Sequence, residues 1–408
     1  MRRLEVRLDW GTHEVRVGTL AQQARRILFE YHPAFLRHPL PLSPFQLPPE
    51  PGLFEDAGRT FGGLFGVFND SLPDGWGLLL MDRHFRKQGI IPEHVSPLDR
   101  LAYIGTRGMG ALTYHPATDV WDEPPPGLDL ARLARQAQRI LEGSPEDVLP
   151  ALRIAGGSPG GARPKVLVGV DEDGEHLLAG TDDLPAGYRY YLVKFGTHED
   201  GRDIGAIEAA YALMASQAGI SMPATRLFET ADGARYFGAE RFDRNATQRT
   251  HVHTLSGLLH ASHRLPSMDY EGFLKATLAL TKDHQQLKEA FRRMVFNVFA
   301  HNRDDHVKNF SFMMDPEGQW KLSPAYDLVF SEGINGWHTM DIAGEAEDPS
   351  QADMLEVAKA CGLSRQDAGE LIEQVRNAVS RWDEFARAAG VSRANADGIG
   401  KVLAAHVG

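Results

Sequence analysis

The chain has 408 residues, 42% of them hydrophobic and 24% charged, with 43 basic against 55 acidic side chains for a net charge of −12. This is globular composition, with apolar material for a large core spread over two or three units, and the acidic balance argues against the chain reading DNA by itself, which requires a basic footprint. One cysteine, Cys361, excludes an internal disulfide and a thiolate metal cage, and no apolar run is long enough to span a bilayer, so the expectation is a cytoplasmic protein with no membrane contact.

Leu4, Val6 and Leu8 alternate with Glu5, Arg7 and Asp9. Val15 and Val17 and then Ile27 to Tyr31 extend a period of two, which predicts short half-buried strands. Pro39 to Pro51 predicts a loop. Asp74 to Gln88 predicts a helix capped by Asp74 and stopped by Gly89. Residues 1–120 thus read as a small α+β unit, with Pro116 to Pro126 as a linker. Leu128 to Leu141 is helical by pattern. A glycine-rich loop, Gly156 to Gly161, then feeds a strand from Lys165 to Val170, and Asp171 to Gly174 turns the chain. Tyr190 to Phe195 and Tyr236 to Phe242 predict further strands, separated by a helix carrying Ile207, Tyr211, Met214 and Ala218 and ended by Gly219. From about residue 251 the pattern is mostly helical, with Leu287, Phe291, Met294, Val295, Val298 and Phe299 on one stripe. Trp10, Trp76, Trp320 and Trp337 are expected as core anchors, and Arg241 and Arg244 as members of structural ion pairs. Strands followed by helices predict an α+β fold of two lobes: a first unit over 1–120, a strand-rich lobe over 121–245 and a helical lobe over 246–408.

The most informative segment is Asn302 to Asn309. It follows an apolar helix and carries Arg303, Asp304 and, five residues after that aspartate, Asn309. Phosphoryl-transfer loops use this spacing: one carboxylate faces the nucleophilic hydroxyl, and a neutral oxygen a short loop away faces the metal on the phosphates. Asn302 stands where a histidine is usual. Downstream, Asp327 supplies a second carboxylate, so Asn309 and Asp327 are the candidate magnesium ligands. Upstream, Lys194 ends an apolar strand, where a lysine can meet ATP phosphates, and Glu208 in the next helix is its candidate partner. The glycine-rich loop, with Gly160 and Gly161, lets backbone N–H groups approach phosphate while Lys165 adds positive charge. His306 and Lys308 lie in the same catalytic segment and are candidates on the nucleotide side, His306 also as a residue that shapes the loop. The order of these parts, glycine loop, strand lysine, helix glutamate, Asp-to-Asn loop and second aspartate, is what phosphoryl transfer demands.

At these residues the chain resembles the HipA family of toxin kinases. The matching stretches are Ser158 to Lys165, Leu192 to Phe195, Glu240 to Arg244, Asp304 to Ser311 and Leu322 to Asp327, with looser matches at Pro41 to Ser43 and Gly105 to Leu112. The resemblance implies a two-lobed protein-kinase-like fold and an ATP- and magnesium-dependent serine/threonine protein kinase, with Asp304 as catalytic base, Asn309 and Asp327 on magnesium and Lys194 on the phosphates. It also implies a hinge near Glu240 and Phe242 that meets adenine, and autophosphorylation at Ser158 in the glycine loop. The implied partners are a protein substrate and a helix-turn-helix antitoxin, with DNA reached only through that antitoxin. Two positions depart from the family pattern. Pro159 stands where an apolar residue is expected, which bears on how the loop moves. Asp305 stands where glycine is common, and is expected either to bind metal or to face water.

Rival readings use the same residues differently. His301, Asp304, Asp305 and His306 could form a two-metal phosphohydrolase cluster, which leaves Lys194 and the glycine loop unused. A small-molecule phosphotransferase would share the Asp-to-Asn loop. A pseudokinase that only binds an antitoxin would not need Asp304, Asn309, Asp327 and Lys194 together.

Overall fold

A computed structural model of the chain describes residues 2–118, 127–144, 148, 150–156, 161–174, 176–180, 183–263 and 267–407. The N-terminal domain is built on a five-stranded antiparallel sheet: β1 (Arg2–Asp9), β2 (Glu14–Gln23), β3 (Arg26–Tyr31), β4 (Leu53–Phe54) and β5 (Leu112–His115), in the order β4-β3-β2-β1-β5. The alternation in β1 does what its period requires: Leu4, Val6 and Leu8 are buried. Three helices follow β4, namely α1 (Gly66–Asn69), α2 (Gly75–Lys87) and α3 (Pro97–Ile104). A capping box between Ser96 and Asp99 starts α3. Asp74 stands at the N-cap of α2 but makes no capping hydrogen bond, a departure from the sequence expectation whose reason lies in the site.

The strand-rich lobe begins with α4 (Leu130–Leu141) and α5 (Pro150–Gly156). Its sheet contains β6 (Lys165–Val170), β7 (Leu177–Ala179) and β8 (Arg189–Lys194), then, beyond α6 (Ile204–Gln217), β9 (Thr225–Glu229) and β10 (Arg235–Glu240). All pairings are antiparallel, in the order β7-β6-β8-β10-β9. Helix α6 is apolar on almost every face and accordingly buried, packed on β9 and β10 from one side and on the helical lobe from the other.

A two-stranded ribbon, β11 (Arg244–Asn245) and β12 (Gln248–Arg249), leads into the second lobe. There β13 (His251–Thr254) runs into α7 (Leu255–Leu259), α8 (Tyr270–Thr281) and α9 (His284–Phe299). Two strands, β14 (Ser311–Met314) and β15 (Trp320–Leu322), pair with β13 as β13-β14-β15, and α10 (Gln351–Ala360), α11 (Arg365–Val379), α12 (Trp382–Ala389) and α13 (Arg393–Val407) complete the chain. Leu287, Phe291, Met294, Val295, Val298 and Phe299 are all buried on α9. None of the described helices is long and apolar enough to cross a membrane.

The N-terminal domain is wedged against both lobes. Trp76 and Leu80 of α2 belong to the core of the strand-rich lobe, with Leu152, Val166 and Val193. On the other side, one core runs from β1–β3 through α8 and α9 to α11. The seam is also polar: His253 meets Asp70 at 2.6 Å and Ser43 at 3.0 Å, and Trp320 Nε1 donates to the Pro41 carbonyl at 3.2 Å. Trp10, Trp76 and Trp320 are core residues as expected. Trp337 is not: it is 53% exposed beside Ile334 on a short loop, because the loop's tight turn, an Ile334–Trp337 bridge, turns the indole outward.

Candidate active site

The cross-strand register decides where the charges gather. Lys165 on β6 pairs directly with Lys194 on β8. Residues opposite one another in a sheet share a face, and like charges there repel, so the arrangement needs anions. Two are present. Glu208, a buried carboxylate on an otherwise apolar helix, accepts from Lys194 Nζ at 2.7 Å and from Arg163 Nη1 at 3.0 Å. Asp327 accepts from the same ammonium. A buried carboxylate is tolerable only when paired, so the apolar α6 holds Glu208 where Lys194 must be.

Burial alone would push the Asp327 carboxyl up, but the ammonium groups of Lys194 and Lys165 outweigh it and hold the group well below the usual carboxylate range. Burial alone would likewise lower Lys194, and Asp327 and Glu208 instead keep it above the usual lysine range. For Lys165 burial wins over the pull of Asp327, and the neighbouring Lys194 adds to the lowering. Asp327 itself adopts φ 58°, a left-handed conformation that costs an L-residue about 1–2 kcal/mol and is typical of residues whose side-chain direction is fixed by function.

The loop after α9 carries two adjacent aspartates with opposite fates. The Asp304 side chain is 63% exposed. Protein mass crowding its flanks still raises its carboxyl above the usual range; His306 opposes the shift, while the charges of Asp327 and Asp305 add to it. Asp305 is fully buried and accepts hydrogen bonds from Tyr270 Oη at 2.7 Å, His338 Nδ1 at 2.8 Å and the Thr339 N–H at 2.7 Å. It therefore neither binds metal nor faces water; it ties the loop to the segment after Asp327. Asn302 extends the tie: its Nδ2 donates to Asn297 Oδ1 at 2.9 Å, and Asn297 Nδ2 donates to Tyr270 Oη at 2.9 Å.

Asn309 Nδ2 donates to the Asp304 carbonyl at 2.7 Å. That leaves its amide oxygen, with the Asp327 carboxylate, as hard oxygen donors of the kind a nucleotide-bound magnesium takes. Tyr326 Oη donates to the Lys308 carbonyl at 2.8 Å and so locks the Asp327 segment to the Asp304–Asn309 loop. His306 Nδ1 accepts from the Lys308 N–H at 3.2 Å, which places its Nε2 towards Asp304 Oδ1, 4.0 Å away.

Other expected residues lie further out. Glu240 ends β10 and its carboxylate faces Arg189 at 3.4 Å. Phe242 stacks on Tyr326 with ring centroids 5.9 Å apart, which sets an aromatic face one residue from Asp327. Arg241 and Arg244 are ion-paired to Asp243. Ser158 and Gly160 lie outside the described residues. Gly161 is described: its φ of +94° is a conformation that favours glycine, and it lies against the Lys165 ammonium. The set required by a two-metal cluster does not converge. His301 is engaged with His406 at 2.8 Å and Glu332 at 3.1 Å, and Asp305 has the partners given above.

Three participants were not singled out in the sequence. Arg163 pairs with Asp200 at 2.9 Å as well as with Glu208. Tyr326 joins the two loops, and Asp74 reaches in from the N-terminal domain to accept from Lys308 Nζ and the Gly161 N–H. The only linear signal for any of them was that Arg163 and Tyr326 sit inside the motif stretches.

Comparison with known proteins gives the family. Residues 157–382 match the HipA-like C-terminal domain and residues 8–115 the HipA N-terminal domain. The chain belongs to the HipA family. Among solved structures, it is similar to HipA of Shewanella oneidensis MR-1, described in a toxin–antitoxin complex with HipB and operator DNA, with a TM-score of 0.71 at 17% identity over 99% of this chain and 95% of that one. The likeness shows a shared HipA fold, the two-lobed kinase-like arrangement with its N-terminal domain. A curated relative from Haemophilus influenzae, named a putative kinase, is 32% identical over 103 residues, 23% of this chain; the chain covers 30% of that relative's length.

Proposed function

We propose that this HipA-family chain is an ATP- and magnesium-dependent kinase that transfers a phosphoryl group to a serine or threonine hydroxyl of a cellular protein. The observation that carries the reading is the open charge cluster: Lys194 held by buried Glu208 on one side and by the 35% exposed Asp327 on the other, with Asp304 exposed nearby. Without nucleotide the lysine and Asp327 satisfy each other. Lys194, kept in place by Glu208, would meet the phosphates of a bound nucleotide, and Asp327 and the Asn309 oxygen would hold magnesium, which would supply neutralisation of phosphate charge. Asp304 accepts the proton of the attacking hydroxyl; its raised pKa suits a general base better than an ordinary carboxylate would. Phe242 offers its ring to adenine.

Two finer parts of the reading come from the family. Ser158 is the proposed autophosphorylation site. The proposed partner is a HipB-like antitoxin, through which alone operator DNA is reached, since a net charge of −12 gives this chain no general affinity for a phosphate backbone. The proposed setting is the cytoplasm.

The test is incubation of wild type and Asp304→Asn with labelled ATP and magnesium, alone and with a cell lysate or small alcohols, read by mass spectrometry. Label on protein from wild type alone supports the kinase, and label on Ser158 adds the self-modification. Label only on alcohols would make it a small-molecule phosphotransferase. Equal background from both proteins with ATP still bound would leave a binding protein without catalysis.

A further inference from the structure

We infer that Asp74, a residue of the N-terminal domain, is a positioning residue for phosphoryl transfer, holding the Lys308 ammonium and the end of the glycine-rich loop in fixed relation to each other. The inference rests on the kinase reading above.

Asp74 divides its carboxylate between two parts of the site. Oδ1 accepts from the Gly161 N–H and Oδ2 from Lys308 Nζ. These partners lie 87 and 234 residues along the chain from it. It does so in place of a local duty. Its extended backbone at the N-cap of α2 is the usual setting for a capping aspartate, worth about 1 kcal/mol, yet the side chain caps nothing.

The residues that follow seat the loop as well. The Trp76 N–H donates to the Gly161 carbonyl at 3.0 Å, and Trp76 Nε1 donates to the Lys165 carbonyl at 3.1 Å. Gly75 has φ +41°, and a Cβ on it would stand 2.6 Å from Ala162 Cα, so the loop lies directly on the helix start. The chain at Gly161 and Ala162, where the glycine-rich loop ends, therefore rests on the N-terminal domain.

Lys308 is fixed at both ends. Its backbone N–H bonds His306 Nδ1 and its carbonyl accepts from Tyr326, while its ammonium is carried by Asp74. Only 17% of its side chain and 19% of that of Asp74 are exposed. A lysine side chain carries about 2 kcal/mol of rotamer entropy. Ordering it before substrate arrives is the preorganisation that electrostatic catalysis relies on.

The experiment is a double-mutant cycle on the full chain: wild type, Asp74→Asn, Lys308→Met and the double variant, with phosphoryl transfer measured against ATP concentration. The asparagine retains an acceptor for Gly161 and removes the charge on Lys308. The expected result is a kcat about tenfold lower for Asp74→Asn, KM for ATP changed by less, the melting temperature nearly unmoved, and no further loss when Asp74→Asn is added to Lys308→Met. Should Asp74→Asn not fold, Asp74→Glu, with its carboxylate displaced by one methylene, is read by the same criterion. An equal fractional loss in both backgrounds, or a melting shift with kcat unchanged, overturns the inference and leaves Asp74 a structural contact. Wild type that transfers no phosphate would instead sink the kinase reading, and this inference with it.

Discussion

Two clusters of buried charge in this molecule have the same ingredients and different endings. In the first, Asp243 is completely enclosed. It accepts two bonds from Arg241 at 2.9 and 2.8 Å, one from Arg244 at 2.9 Å and one from the Gly110 N–H at 2.8 Å, while Arg244 spends its other donors on the Gly110 and Gly108 carbonyls at 2.8 and 3.0 Å. In the second, Lys194 has two carboxylates but one of them, Asp327, is partly open, and the Asp304 carboxylate beyond it is mostly open. The first is closed on itself and works as a joint between the N-terminal domain and the start of the helical lobe. The second has unspent oxygens pointing at solvent, and that surplus makes a site.

The comparison can be broken at either end. The largest effect is expected from Asp304→Asn, which removes the open carboxylate and should slow phosphoryl transfer by roughly 10²–10⁴-fold while calorimetry finds ATP binding near the wild-type level. Asp243→Ala should do the reverse. It strands two buried guanidinium groups at a cost of about 3–5 kcal/mol, visible as an earlier denaturant midpoint, with activity per folded molecule retained. Asp327→Ala falls between them: Mg-ATP affinity is expected to drop by about tenfold, or 1.4 kcal/mol. The melting temperature should fall as well, but by less than in Asp243→Ala, because Lys194 keeps Glu208 while the charge that offset Lys165 and Lys194 together is lost. Full affinity in that variant would remove Asp327 from the metal site.

The smallest effect is one of pH. Asp243 and Asp327 are held below the ordinary carboxylate range in the folded state: burial opposes this, and cationic neighbours prevail. The stability they contribute is therefore fully present above the unfolded value of about 3.9 and is lost only as pH falls below it. Asp304 is shifted upward, so the acid limb of the rate profile should lie above about pH 4, at a pH where the fold is still intact. Coincident loss of rate and of structure on acidification would contradict the difference drawn between the two clusters.

The sequence carried the geometry of the candidate site wherever that geometry is local. Asp304 and Asn309 are five residues apart and the loop between them dictates their relation, so spacing sufficed. Lys194 and Glu208 were legible because an apolar strand end and the next helix leave a lysine and a glutamate few other roles. The direct pairing of Lys165 with Lys194 was not, since register depends on the whole sheet. Asp74 looked like a helix cap because local chemistry favours that use, and only the packing of another domain diverts it. Asp305 was misread because an aspartate beside the proposed base looks functional until Tyr270, His338 and Thr339 are seen around it. Trp337 followed the same logic in reverse: a bulky indole suggests a core, and a tight loop kept it out. The short strands β13, β14 and β15 hid within a stretch whose apolar content is dominated by helices.

The joint at Asp243 also bears on how such proteins can be recombined. Two family domains are recognisable as separate units, over residues 8–115 and 157–382, yet Gly108 and Gly110 of the first complete the hydrogen bonds of Arg244 and Asp243 in the second. A chimera that grafts the N-terminal domain of one relative onto the C-terminal domain of another inherits two half-finished networks at this seam. The two halves are thus expected to travel through evolution as a matched pair, and domain exchange between distant relatives to succeed only when the 108–110 turn is carried across with residues 241–244.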